Sequence, residues 1–239
     1  MKIIVSAVLW AIGLIHAAFA FSLVIGSLVF FSNRRTHALA KALARSQLFV
    51  MGARLEVRGR ERFDPEKSYF IMGNHQSLFD VFVIPPAVSL FIVAVEAASH
   101  FSWPVWGSFT TRWGNIPIAR SERGKALAAL EKAGDILKDG VSLLILPEGH
   151  RTMTGDIREF KKGPFYLALE AGVDILPFAM AGVYEYKSKH SWLLNPGKVV
   201  VEFGEPIAYE FFKNMSVDEI KDETRARMIR LKDSAQDRI

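Results

Sequence analysis

Residues Ile3 to Phe31 run for 29 positions without Asp, Glu, Lys or Arg, interrupted only by His16, a few serines and the glycines Gly13 and Gly26. Such a stretch is long enough to cross a bilayer. It is roughly twice a typical signal-peptide core and no clear small-residue cleavage site follows it, so the pattern predicts a retained anchor over residues 1–33. His16 near the middle and Gly13 equally suit a bent hairpin or a helix resting in one leaflet. Beyond the anchor the pattern breaks into shorter units. Tyr69 to Met72, Leu90 to Val95, Val141 to Leu146, Ile175 to Ala179 and Lys198 to Phe203 are apolar or β-rich runs that predict strands. Gly124 to Lys138 sets Leu127, Leu130 and Leu137 on one helical face and stops at Gly140. Ser216, boxed with Glu219, opens a last helix with Ile220, Met228 and Leu231 as its apolar stripe. Alternation of this kind predicts an α/β domain over residues 63–239, with a central mixed or mostly parallel sheet covered by helices.

Charge adds a third region. Between positions 34 and 62, Arg34, Arg35, Lys41, Arg45, Arg54, Arg58, Arg60 and Arg62 are opposed only by Glu56 and Glu61, eight cations against two acids, or net +6. The whole 239-residue chain carries +5, so the basic character is a local collar next to the anchor. Residues 34–62 therefore predict a basic interfacial segment facing an anionic lipid surface, with the following domain on the cytoplasmic side. Nucleic acid is not expected, because no binding motif and no interleaved aromatics accompany the charges. Thr36 to Met51, with Leu39, Leu43 and Phe49 against Lys41 and Arg45, is compatible with an interfacial helix or with one packed on the domain. The length suffices for one substantial core and suggests a single domain plus its appendage. Zero cysteines exclude disulfides, thiolate nucleophiles and cysteine-ligated zinc, and no metal ligand set is expected.

Candidate chemistry gathers at the ends of the predicted strands. His75 and Asp80 follow Tyr69 to Met72 after the turn formers Gly73 and Asn74. A carboxylate on one ring nitrogen fixes the histidine tautomer and leaves the other nitrogen free to take a proton. Five residues apart on one continuous helix would point about 140° away from each other, so the pair needs a strand–turn–helix context. Ser77 to Asp80 also has the spacing of a capping box, which explains the aspartate without catalysis. The turn Pro147-Glu148-Gly149-His150-Arg151 lies at the carboxyl end of Val141 to Leu146, where open α/β sheets bind ligands. Arg151 suits a phosphate there; the alternative is a local ion pair with Glu148 worth little. Arg120 closes Gly114 to Arg120, and Lys161 and Lys162 precede Gly163. The aromatic run Phe101, Trp103, Trp106, Phe109 and Trp113 fits either a membrane-interface mouth for acyl chains or plain core packing.

Taken together, Asn74-His75 through Asp80, Gly114 to Arg120, Leu146-Pro-Glu148-Gly149-His-Arg151, Phe160-Lys-Lys-Gly163 and Ile175-Leu-Pro177 stand in the order and approximate spacing of the glycerolipid acyltransferase family. Over roughly positions 50 to 207 the chain resembles its 1-acylglycerol-3-phosphate (lysophosphatidate) acyltransferase members. The resemblance implies a membrane-associated α/β enzyme with an N-terminal helical element that can sit in one leaflet. It implies transfer of a fatty acyl group from acyl-CoA or acyl carrier protein to a lysophospholipid hydroxyl, with the donor as co-substrate and no bound cofactor. Most directly it implies 1-acyl-sn-glycerol-3-phosphate as acceptor and phosphatidic acid as product. His75 and Asp80 become the catalytic residues, and Asn74, Arg120, Glu148, Gly149, Arg151, Lys161 and Lys162 the substrate-binding set. The chain departs from the family pattern at Ala119, where Asp is usual; at Leu146 and His150, where Phe and Thr are usual; and at Val95 to Ala98, in place of a lysine-rich stretch. The alternatives are a different lysolipid acceptor, an acyl-Ser77 intermediate, or a membrane-tethered lipid hydrolase or thioesterase. The absence of a Gly-x-Ser-x-Gly elbow counts against hydrolysis.

Overall fold

The computed structural model describes residues 1–118, 133–137 and 139–239. Helix α1 (Lys2–Phe30) takes in nearly the whole apolar run, and α2 (Asn33–Val50) turns back along it. Ser32 caps α2 by accepting from the Arg35 N–H. Polar groups stitch the hairpin: His16 Nδ1 meets Gln47 Oε1 at 2.6 Å, Ser46 Oγ meets His16 Nε2 at 2.9 Å, and Gln47 Nε2 donates to the Gly13 carbonyl. His16 thus finds its partners inside the hairpin. Gly13 lets Met51 pass, since a Cβ there would lie 2.6 Å from the Met51 sulfur.

The basic segment 34–62 divides between two elements. Its first half is α2. Its second half holds β1 (Ala53–Arg58), an edge strand parallel to β7 (Gly197–Phe203), which places these residues in the sheet. Several collar cations bond acceptors of the domain itself: Lys41 Nζ donates to the Val88 carbonyl at 2.6 Å, Arg60 to the Pro86 and Ala87 carbonyls, and Arg62 to the Phe203 carbonyl and Glu202. Leu39 and Phe49 are turned outward, as on an interfacial helix, while Lys41 is turned inward, as on a helix packed on the domain. The reason is that α2 is sandwiched between α1 and α3 (Asp80–Ala87).

The sheet adds β2 (Phe70–Met72), β3 (Ile92–Ala97), β4 (Ile116–Ile118), β5 (Ser142–Ile145) and β6 (Ile175–Ala181), in the order β1-β7-β6-β2-β5-β3-β4. Every pairing is parallel except β6 with β7. β2 is the fourth of the seven strands and all three of its side chains are buried, as covering on both faces requires. Ile71 joins Leu48, Phe79 and Val83 in a core beneath α2 and α3. Phe70 and Met72 point the other way, into a core shared with α5 (Gly163–Ala171) and α8 (Val217–Gln236). α8 begins with the expected capping box, Ser216 with Glu219, and buries Ile220, Thr224 and Met228. α4 (Trp106–Trp113), α6 (Val183–Tyr186), α7 (Tyr209–Phe212) and the short 3-10 helices Arg60–Arg62 and Ala98–Ser102 are further elements. The expected helix over Gly124 to Lys138 lies mostly outside the described residues; 133–137 are helical, with Ala133 and Leu137 buried.

The aromatic run packs largely on itself and on α1. Phe21 touches Trp106 and Phe109, and Trp113 is buried with its indole N–H on the Ile92 carbonyl. Trp103 alone of its tryptophans is exposed, at 52%.

Candidate active site

Three neighbouring parallel strands, β5, β2 and β6, end side by side, and each feeds a loop into the same place. After β2 the backbone has little freedom. A Cβ on Gly73 would fall within 2.0 Å of the Phe178 ring, so only glycine lets the strand leave this close to β6. Asn74 follows, 1% exposed, its amide paired both ways with Met180: Nδ2 donates to the carbonyl at 3.0 Å and Oδ1 accepts the N–H at 2.7 Å. This side chain extends the sheet edge-on and aims the next residue.

That residue is His75. Its Nδ1 lies 2.6 Å from Asp80 Oδ2, and Asp80 also accepts from the Gln76 N–H at 2.9 Å and the Ser77 N–H at 3.0 Å. The aspartate is 3% exposed and is the first residue of α3, where the helix end favours negative charge. A carboxylate so surrounded is an acceptor, so the histidine proton sits on Nδ1 and the Nε2 lone pair is left for a substrate. The His75 side chain retains 26% of its exposure.

The expected capping box at Ser77 is only half present. Asp80 reaches back to the Ser77 N–H, but the Ser77 hydroxyl donates to the Lys187 carbonyl at 2.7 Å, and α3 starts two residues later than a Ser77 cap requires. Ser77 is 1% exposed. Nothing described joins it to the His75 ring.

From the β5 side, Glu148 holds the dyad loop. It is 2% exposed, with Oε1 on the His75 N–H at 2.8 Å and Oε2 on the Arg158 N–H at 3.0 Å. Burial pushes its carboxyl pKa up, and the two backbone donors pull against that shift. The turn that delivers it closes with the Gly149 N–H on the Leu146 carbonyl, with Gly149 at φ 71°, a conformation natural to glycine. Thr152 N–H then donates to the His75 carbonyl at 2.8 Å. The dyad residue is therefore gripped at both its N–H and its C=O by one loop. Arg151 sits beside Thr152, half-buried, and does not pair with Glu148 among the described residues.

The remaining expected residues distribute unevenly. Lys162 pairs with Asp218 at the start of α8, 2.7 Å away, both side chains about half exposed. Lys161 is exposed and contributes its N–H to the Pro147 carbonyl. Arg120 lies outside the described residues. Two residues that the sequence does not single out belong to the site. Gln76 Oε1 accepts the Val183 and Tyr184 N–H groups at 3.2 Å, fixing α6 to the dyad loop. Lys187 follows α6 and is only 9% exposed; burial first and the Arg151 charge second push its pKa down. Their contacts span more than 100 residues of sequence, so no local spacing marks them. The lone signal is a lysine next to a run of apolar and aromatic residues.

A family model described as Acyltransferase matches residues 54–181, the span from β1 to the end of β6. A mouse protein, 1-acyl-sn-glycerol-3-phosphate acyltransferase alpha, is 29% identical over 191 residues, covering 76% of this chain and 64% of its own length. The Pseudomonas aeruginosa 1-acyl-sn-glycerol-3-phosphate acyltransferase is 36% identical over 157 residues, covering 65% of this chain and 60% of its own. The chain thus spans somewhat under two thirds of these relatives. The crystal structure of the 1-acyl-sn-glycerophosphate (LPA) acyltransferase PlsC from Thermotoga maritima superposes with a TM-score of 0.80 over 98% of this chain and 96% of that one. At 21% identity that likeness is one of fold. The family match covers more than half of the chain and includes the dyad, its Glu148 brace and the three strands that carry them: the chain belongs to the Acyltransferase family.

Proposed function

We propose that the chain transfers a fatty acyl group from a thioester donor, coenzyme A or acyl carrier protein, to the free hydroxyl of a lysophospholipid. The names of its relatives favour 1-acyl-sn-glycerol-3-phosphate as acceptor and phosphatidic acid as product. The observation that carries the reading is the His75 Nδ1 to Asp80 contact of 2.6 Å, with Nε2 unbonded among the described residues. Nε2 takes the proton of the acceptor hydroxyl as its oxygen attacks the thioester carbonyl. The tetrahedral intermediate collapses with loss of the C–S bond, and Nε2 returns the proton to the leaving thiolate. Asp80 keeps the imidazole in the right tautomer and balances the charge it gains. Direct attack is favoured over an acyl-serine, because the Ser77 hydroxyl is buried and donates to the Lys187 carbonyl.

The surface of α1 supports membrane binding. Among its side chains Ile4, Leu14, Ile15, Phe19 and Phe30 are 60% exposed or more, while the same helix is tied to the domain near its start by Ser6 with Leu194 and by Trp10 with Trp192, and farther on by Phe21 with α4. Tethers along its length favour a helix that lies in one leaflet over one that crosses. Arg34, Arg35, Arg45 and Arg54 remain outward for anionic headgroups on the cytoplasmic side.

Product analysis tests the reading. Protein given oleoyl-CoA or oleoyl acyl carrier protein with a panel of lysolipids should convert lysophosphatidate to phosphatidate. Free fatty acid as the sole acyl product would make it a hydrolase, the second reading of the same dyad.

A further inference from the structure

Lysine is seldom buried without a partner of opposite charge. Where other lysines of this chain pair with carboxylates, as Lys162 and Lys221 do with Asp218, Lys198 with Glu56 and Lys232 with Asp156, Lys187 has none among the described residues. Its Nζ donates to the Ser188 carbonyl at 2.7 Å. It is nevertheless fixed firmly. The preceding α6 hangs from Gln76 by two N–H bonds, and the Lys187 carbonyl takes the Ser77 hydroxyl. Both anchors are within two residues of His75. On the other side of the dyad loop, Thr152 is bonded to the His75 carbonyl and carries Arg151 next to it. The loop that carries His75 is thus flanked by a segment bearing Arg151 from the β5 side and a segment bearing Lys187 from the β6 side, with no carboxylate bonded to either cation among the described residues. Such a pair is incomplete until an anion joins it, and two positive charges match a dianion.

We propose that Lys187 forms, with Arg151, a clamp for a phosphate monoester, and that this clamp recognises the acceptor by its phosphate and brings its hydroxyl to His75. The inference rests on the acyl-transfer reading above. It concerns the acceptor; the ribose 3′-phosphate of a coenzyme A donor has the same chemistry and is distinguished by the test.

The full chain is assayed in mixed micelles with lysophosphatidate and oleoyl-CoA varied one at a time. Lys187→Gln should raise the lysophosphatidate KM on the order of tenfold and the oleoyl-CoA KM less than twofold. Lys187→Arg should recover most of the loss, and Lys189→Gln, at an exposed site two residues on, should behave as wild type. A rise confined to the oleoyl-CoA KM would overturn the acceptor assignment. A fall in kcat with both KM values unchanged, or no rescue by Arg, would overturn the clamp. Calorimetric binding of soluble 1-hexanoylglycerol 3-phosphate separates this from the role of His75: His75→Ala should keep the wild-type Kd, while Lys187→Gln should weaken it on the order of tenfold. A Kd indifferent to Lys187→Gln defeats the proposal whatever becomes of His75.

Discussion

His75 keeps one reactive atom open while the residues around it give up their polar groups to hold it in place. Asn74 is bound to Met180, Asp80 answers three donors, and Glu148 satisfies the His75 and Arg158 N–H groups out of contact with water. Glu148 and Asn74 thus spend their polar atoms on the backbone around His75; the family resemblance implies that both also belong to the substrate-binding set. Removing Glu148 has a calculable cost. Glu148→Ala leaves the His75 and Arg158 N–H groups without their acceptor, each loss worth about 1–3 kcal/mol, so the unfolding free energy should fall by roughly 2–6 kcal/mol. Glu148→Gln keeps one acceptor and should lose about half as much. Denaturant midpoints in detergent check the order; equal losses for the two variants would mean that the bonds are not the cause. The dyad and Glu148 were legible in the sequence because their residue types and strand-end positions are local. Gln76 and Lys187 were not, because what defines them is a contact made across the sheet.

Among the elements, the strands that bury both faces were readable as apolar runs, and α8 as a capped amphipathic helix. β1 was hidden by its own charges: Arg54, Glu56 and Arg58 alternate with Leu55 and Val57, the pattern of a half-buried edge strand, yet the net charge reads first as a collar. α3 was obscured by Pro85 and Pro86 inside its apolar stretch. α2 carries a testable consequence. His37 packs edge-on to Phe91, 5.2 Å between ring centres, and near Trp113, with its Nε2 buried and unbonded among the described residues. Burial, and next the charge of Lys41, push its pKa down to about 4. In the unfolded chain an imidazole takes a proton near pH 6.5, so between those values the unfolded state binds more protons and stability rises with pH. This contribution is complete above about pH 6.5 and is lost as pH falls towards about 4. His37→Phe keeps the ring packing and should flatten that part of the midpoint-versus-pH curve; an unchanged slope would assign the acid sensitivity elsewhere.

On the scale of the whole molecule, topology decides where chemistry can occur. Placing β2 between β5 and β6, all three parallel, delivers His75, Glu148 and the Lys187 segment at one end of the sheet. α1, docked along the domain with its apolar side outward, gives that body a surface suited to lipid. The sequence shows the apolar run and the basic segment but not that α1 is tied to Leu194, Trp192 and α4, because those tethers join positions up to 188 residues apart. The account as a whole depends on His75 as the base. General-base catalysis is typically worth 10² to 10⁴ in rate, so the direct measurement is the acyl-transfer rate of His75→Ala, shown to be folded by an unchanged unfolding midpoint, on vesicles containing lysophosphatidate and a saturating thioester donor. The rate should fall at least a hundredfold; retention of more than a tenth of the wild-type rate would contradict the assignment.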